Sequence, residues 1–427
     1  MVVARIDPRR EVELRQLLAT MNDSSGRANP TNSLFPFARF GMLHVGRFVI
    51  LDDKTADDIR VYGLQAPMFP TYLAFLGDVD GEGDAFLREA ARVAEAGLRT
   101  IFECCDDFAP ADDLLAWMRS HDTPSAASYV NRVGRTVRRV REDAALRASV
   151  EHFLNNGGRA AISGAPARHA HATLRSYIDG EKAAGRLTLS PEERTPLGWR
   201  IADTIHLVGV PIVALLLSPV LLVLAFAGLL RLRMLEKTDA ELCPRVDVAY
   251  SNTLAAIEDL EVSNQFNAMG SLKPGLLRLW SAMAVFFAID YAARHIYARS
   301  GLARVRTIHF ARWVFLDGRK RAIFMSNYDG SLEAYMDDFI NRVGFGLNLA
   351  FNAGVGYPRT RWLALDGCND ERKFKEFLRR HQLPSQVWYK AYPELTAVDL
   401  ERNQRLRDGL ETPQLDDQQA REWMALL

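Results

Sequence analysis

Two histidines stand in matching strings. Around His309 the chain reads Ile-His-Phe-Ala-Arg-Trp-Val-Phe-Leu-Asp, and around His44 it reads Leu-His-Val-Gly-Arg-Phe-Val-Ile-Leu-Asp. An imidazole titrates near neutral pH and ligates metals, so His309 is a candidate iron ligand or proton shuttle. Arg312 could stabilise negative charge, and Asp329, just before Gly330, could accept a proton at a sheet rim. Strict strand alternation would put His309 and Arg312 on opposite faces. Tyr328, Trp313, Trp388 and Tyr389 make the second half richer in aromatic side chains, which line apolar pockets and bind planar cofactors. Each residue also has a plainer role. A repeated His is explained first by packing, an Asp-Gly pair by a turn that caps the next helix, and His121 and His381 by helix ends that favour positive charge.

The matching strings belong to a longer correspondence. Phe75-Leu76-Gly77-Asp78-Val79-Asp80-Gly81 answers Phe324-Met325-Ser326-Asn327-Tyr328-Asp329-Gly330, and the register continues through Gly97 and Gly346. His121-x-x-Pro124-Ser125-x-x-x-Tyr129 answers His381-x-x-Pro384-Ser385-x-x-x-Tyr389, and the register holds to Leu146 and Leu406. One duplicated module of about 110 residues accounts for this pattern.

The elements that must hold these residues are read from periodicity. His309 to Leu316 and Arg321 to Tyr328 form a hairpin around Asp317-Gly318. Ser331 caps a helix that places Leu332, Tyr335, Met336, Phe339 and Ile340 on one face. Leu347 to Ala353 reads as a third strand, Asp370 to His381 as a helix, and Ser385 to Tyr392 as a fourth strand. The expected fold class is α+β: two ferredoxin-like repeats, each of four strands and two helices, packed together, with an inserted membrane-associated helical segment. The expected boundaries are an N-terminal extension 1–40, repeat 1 at 41–154, a linker at 155–203, an apolar segment at 204–235, a helical linker at 236–304, repeat 2 at 305–410 and a polar tail at 411–427.

The order of elements and the duplication resemble the tandem ferredoxin-like, dimeric α+β barrel proteins, which include dye-decolorizing peroxidases, chlorite dismutases and cofactor-free monooxygenases. The resemblance covers residues 40–150 and 305–410. The peroxidases carry a Gly-x-x-Asp-Gly motif. Gly77-Asp78-Val79-Asp80-Gly81 satisfies it, whereas Ser326-Asn327-Tyr328-Asp329-Gly330 lacks the leading glycine. The resemblance implies haem, with His309 as ligand, or an apolar ligand without a cofactor, with Trp313, Tyr328, Trp388 and Tyr389 around it. The stretch from Gln265 through Lys273-Pro274-Gly275 to His309 also resembles a widespread family of bacterial membrane-associated proteins.

Thr204 to Leu230 contains no Asp, Glu, Lys or Arg, and as a helix it exceeds the length needed to cross a hydrocarbon core of about 30 Å. Paired repeats must lie on one side of a membrane, so the segment either returns as a re-entrant hairpin or crosses and is matched by a second crossing near Leu276 to Ala298, where only Leu279 to Ile289 is free of charge. Ser218-Pro219 breaks the run near its middle, which favours a re-entrant hairpin with arms of about 14 and 11 residues, too short to span. Leu276, Trp280, Met283 and Phe287 mark an interfacial amphipathic helix. Arg194, Arg200, Arg231, Arg233 and Lys237 flank the run and suit a cytoplasmic placement of the repeats.

Composition argues against several classes. Lys and Arg number 53, as do Asp and Glu, so no net field attracts nucleic acid. Met1 to Arg15 lacks the apolar core of a signal peptide. Cys104, Cys105, Cys243 and Cys368 have no metal spacing. His169 and His171 fall in a Gly/Ala/Arg-rich stretch that reads as a flexible surface linker, and Asn264-Gln265-x-Asn267 is a polar cluster of open role. No Ser-His-Asp order, phosphate loop or zinc signature is present. Two functional classes follow. One is a membrane-associated oxidoreductase acting on a hydrophobic small molecule, with His309, Arg312 and Asp329 as its working residues. The other is a non-catalytic lipid-binding or scaffold protein. Membrane lipids are partners in both, and self-association is compatible with either.

Overall fold

The computed structural model describes residues 1–24, 27–298, 301–302 and 305–427, with Ser24 described by its backbone alone. The chain divides into two compact units: Met1–Val133 with Thr195–Ala391, and Gly134–Arg194 with Tyr392–Leu427.

The first unit is a mixed α+β fold built on two four-stranded antiparallel sheets. The strands of these two sheets are β1 (Val2–Arg5), β2 (Leu43–Leu51), β3 (Tyr72–Val79), β4 (Ala127–Val130), β5 (Ser263–Ser271), β6 (Ile308–Leu316), β7 (Arg321–Asp329) and β8 (Val387–Lys390). The sheet orders are β1-β3-β2-β8 and β4-β6-β7-β5. Each sheet therefore completes itself with a strand from the other half of the chain. β8 pairs with β2 at Tyr389↔Gly46, and β4 pairs with β6 at Tyr129↔Ala311.

The His-x-x-Pro-Ser string marks the point where the chain changes sheet. Val3 N donates to His121 O at 3.0 Å and Thr123 N to Met1 O at 2.8 Å, on the free edge of β1; after Pro124 the chain enters β4 on the other sheet. In the other half, Leu383 N donates to Asn267 O at 2.8 Å on the free edge of β5, and after Pro384 the chain enters β8. Proline has no N–H to offer a ladder, which suits it to this break. These crossing segments cover the outer edges of β1 and β5, blunting a template for aggregation there.

Helices cover the outer faces. The first sheet packs on α1 (Glu11–Ala19), α2 (Gly83–Val93), α3 (Glu95–Phe102) and α4 (Leu114–Ser120) through Leu14, Phe48, Phe75, Phe86, Phe102 and Trp117. In the second unit, α5 (Val137–Phe153) and α6 (Ala167–Ala183) share a core of Leu146, Leu174, Leu406 and Trp423 with two C-terminal helices. The apolar segment forms α7 (Leu197–Leu216) and α8 (Ser218–Lys237). The second sheet packs on α9 (Leu276–His295), α10 (Leu332–Phe351) and α11 (Glu371–His381) through Phe286, Trp313, Phe324, Phe339 and Phe377. The C-terminal helices are α12 (Ala397–Glu411) and α13 (Asp417–Met424). The facing sides of the two sheets meet in Val49, Leu51, Leu76, Met269, Val314, Ile323 and Met325.

Several expectations are corrected. Residues 1–40 are no extension, because β1 is an edge strand of the first sheet. Leu347 to Phe351 continues α10, whose cap is Ser331 as expected; the side chain accepts from Ala334 N. The stretch 236–304 holds β5, missed because its inward residues Ser263, Gln265 and Asn267 are polar and hide the alternation of a buried strand. The flexible linker is helical over Ala167–Ala183, and His171 is buried, its Nε2 2.8 Å from Gly409 O. The polar tail contains α13, which buries Trp423. Residues 134–154 and 392–410 belong with the second unit, so the sheet-forming parts end at Val133 and Ala391.

Candidate functional site

The space between the sheets changes character along its length. Beyond the apolar contacts of Val49, Met269 and Met325, the inward positions become Arg47, Asn267, Asp78, Arg312, Asn327 and Trp388, then Ser263, His309, Asp329 and Lys390. All these residues except Arg312 are at least nine-tenths buried.

His309 and Arg312 both face this interior. The register of β6 on β7 shifts between Ile308 and Ala311, and that of β2 on β3 between Leu43 and Val45. Such a bulge inserts one residue and reverses the facing of everything before it, which overturns the opposite-face expectation. His309 Nε2 lies 2.6 Å from Asp329 Oδ1. The matched pair, His44 Nε2 and Asp80 Oδ1, is 2.8 Å apart. Ser263 Oγ donates to Asp329 and lies 3.4 Å from His309 Nε2, while Lys390 Nζ donates to Ser263 Oγ. Burial alone would raise the Asp329 carboxyl, but the charge and hydrogen bond of His309, with Lys390 and Ser263, hold it below its ordinary value.

Serine, histidine and aspartate converge here without forming a nucleophilic triad. Such a triad needs the carboxylate on one imidazole nitrogen and the hydroxyl on the other. Here Asp329 and Ser263 both address Nε2, and Ser263 is itself bonded to Asp329.

Arg312 does not join His309. It crosses between the sheets and donates to Asp78. Its counterpart Arg47, 1% exposed, donates through Nη1 to Asn267 Oδ1 at 2.8 Å and through Nη2 to Ser326 O at 3.2 Å, and lies over the Trp388 ring at 5.0 Å. Burial pushes its guanidinium down to about 10, with Asp78 nearby opposing the shift. Asn327 occupies the position matched by Asp78; its Oδ1 accepts from Phe310 N at 2.8 Å. Three donors in this layer, Arg47 Nε, Asn327 Nδ2 and Trp388 Nε1, have no acceptor. Arg47, Asp78, Asn327, Ser263 and Lys390 were not singled out by sequence, whereas Asn267 was, as part of a polar cluster of open role. The available signals were the Arg matched to Arg312, the Asp matched to Asn327, and the period-two spacing of Ser263, Gln265 and Asn267.

The aromatic set expected around a cofactor is divided. Trp313 and Tyr328 lie on the helix-covered side of the second sheet, Tyr328 stacked on Tyr335 at 4.4 Å. Tyr389 lies on the helix-covered side of the first, stacked on Phe37 at 4.9 Å. Only Trp388 joins the interior. The residues present do not fit haem: His309 is 2% exposed, its Nε2 is engaged by Asp329, and the expected ring partners sit on three different surfaces. The pocket near Trp313 and Phe324 measures about 50 Å³, well short of the roughly 300–1,000 Å³ of ligand clefts.

Outside the sheets, Glu333, Asp337 and Glu371 converge, but Lys375 Nζ sits among them, 2.7 Å from Asp337 and 2.6 Å from Glu371. Searches against family models, curated proteins and solved structures find no match to this chain.

Proposed function

We propose that the protein is a membrane-attached binding protein in which two ferredoxin-like repeats, joined as a tandem α+β barrel, enclose a small oxyanion, a carboxylate or phosphate group, between their sheets. The equivalent registers of Tyr389↔Gly46 and Tyr129↔Ala311 support the repeat, and three helices long and apolar enough to cross a membrane support the attachment. One observation supports this ligand: Arg47 Nε, Asn327 Nδ2 and Trp388 Nε1 are buried donors without acceptors. Leaving such a donor unmade costs about 1–3 kcal/mol, so a bound acceptor is the economical explanation. Charge argues for an anion over a neutral acceptor. Arg312 has Asp78, whereas every hydrogen-bond acceptor of Arg47 is a neutral oxygen. A hydrophobic substrate fits this layer poorly, and the apolar layer beside it is filled by its own side chains.

The test uses the pseudo-symmetry. Asn327→Asp places a carboxylate where the other half has Asp78, supplying from within the charge that the ligand would bring. Thermal midpoints are measured in phosphate and in acetate against chloride at constant ionic strength. The wild type gains about 2.7 kcal/mol at one hundred times the dissociation constant of whichever anion it takes, and Asn327→Asp loses that dependence. No response to either anion in the wild type overturns the reading and leaves water as the acceptor.

A further inference from the structure

Helices α7 and α8 are separated by Leu217 alone, and both are tied back to α9. At the start of α7, Asp203 Oδ1 accepts from Arg294 Nε at 2.5 Å, Leu207 O accepts from Tyr291 Oη at 2.8 Å, and His206 Nδ1 lies 2.8 Å from His295 Nε2. At the end of α8, Leu235 O accepts from Arg278 at 3.4 Å, and Asp239 bonds both Arg278 and Lys273. α9 itself is fixed to the second sheet, with Phe286 5.9 Å from Trp313 and 5.4 Å from Phe315.

These ties set the shape of the hairpin. At a helical rise of about 1.5 Å per residue, Asp203 to Leu217 spans about 21 Å, Leu217 to Leu235 about 27 Å, and the base from Arg278 to Arg294 only about 24 Å. Arms of that length on that base meet at roughly 60°, with their tip roughly 20 Å from α9. The tip is bare: Leu215 and Leu216 are each 74% exposed, Leu222 69% and Phe226 68%. The backbone stays paired through the bend, since Leu217 N donates to Val213 O and Leu221 N to Leu217 O, and Pro219 brings no N–H. Trp199, Arg200, Arg233, Lys237 and Trp280 lie near the base, the residue types that prefer the headgroup region.

Building on the membrane attachment proposed above, we infer that α7 and α8 form a wedge that enters one leaflet of a lipid bilayer and returns, with α9 lying along the surface as its base. Measured from an α9 that lies at the headgroup level, a wedge of roughly 20 Å reaches about the midplane of a hydrocarbon core about 30 Å thick and does not cross it. Each helix is 20 residues long, longer than the arms expected from the uncharged run, and each would suffice to span alone. The wedge geometry, not the helix length, keeps them in one leaflet, and it keeps both sheets on one side.

The experiment uses full-length protein carrying Cys243→Ser, with single probes Leu197→Cys and Lys237→Cys at the base and Ser218→Cys at the tip. Sealed membrane vesicles are treated with an impermeant maleimide from either side. Proteoliposomes of phosphatidylcholine and phosphatidylglycerol carrying doxyl quenchers report the depth of a fluorophore on Ser218→Cys. The wedge requires both base positions to label from one side, the tip to label from neither, and deep doxyl groups to quench the tip more than shallow ones. Base positions on opposite faces, or a tip labelled from the far side, overturn the wedge while leaving attachment intact. Protein that fails to float with vesicles overturns attachment and wedge together.

Discussion

His309 and Asp329 lie 2.6 Å apart at the buried end of a two-strand ladder, and His44 and Asp80 repeat the relationship at 2.8 Å in the other sheet. The pair is set by two strands of one hairpin, so its geometry follows from the β6–β7 register and the bulge that turns His309 inward. Replacing His309 by Ala leaves the Asp329 carboxylate buried without its imidazole. Breaking a buried pair in this way costs about 3–5 kcal/mol, to be read by urea unfolding at neutral pH.

The same carboxylate predicts an acid limb. Its folded-state pKa is depressed below the ordinary value, net of a burial that would raise it. The stability it contributes is therefore present above the unfolded-state pKa, about 3.9, and is lost as pH falls through the lower folded-state value. Asp329→Asn should flatten the fall in stability below about pH 5. An unchanged acid limb in that variant would show that other carboxylates govern it.

Haem should not be a specific ligand of His309. Titration of purified protein with hemin is expected to give no Soret band that His309→Ala removes. A band lost in that variant would restore the haem reading.

The two chain halves should not fold independently. A fragment ending at residue 194 lacks β8 for its own sheet, and a fragment starting at 195 lacks β4. Each leaves unpaired backbone at the edge of β2 or β6. Neither fragment alone is expected to unfold cooperatively in a thermal scan followed by circular dichroism, whereas the mixed fragments should recover a single transition.

Two matched glycines should respond in opposite senses. A Cβ on Gly97 would lie 1.9 Å from Leu34 O, a backbone atom, so Gly97→Ala should cost about 1–3 kcal/mol through forced displacement. Gly346, its counterpart inside α10, has nothing within 4 Å of such a Cβ. Gly346→Ala should therefore be neutral or stabilising by up to about 1 kcal/mol through helix propensity. Denaturant midpoints of the two variants decide it.

Local chemistry made much of this chain readable without coordinates. The hairpin around Asp317-Gly318, the Ser331 cap and the helix ending at His381 are encoded within a few residues of themselves, and each appears where its pattern points. The uncharged run from Thr204 to Leu230 and its break beside Ser218-Pro219 are likewise properties of composition and of a missing N–H. His309 and Asp329 were both recognised as chemical candidates, and the hairpin brings them together.

Long-range pairing decided the rest. β5 carries Ser263, Gln265 and Asn267 inward and Phe266 and Ala268 into the helix-covered core, so a strand buried on both faces shows a polar inner side, and only its partner β7 reveals it as a strand. The facing of His309 depends on a bulge, a one-residue mismatch between two strands that neither strand records alone. Arg312 and Arg47 share a string, yet the first meets Asp78 across the sheets and the second is left among Asn267, Ser326 and Trp388. That difference follows from position 327, where Asn327 stands in place of the carboxylate that Asp78 supplies in the other half. The side chains that meet in the interior come from positions hundreds of residues apart, and pattern within a short window carries no information about them.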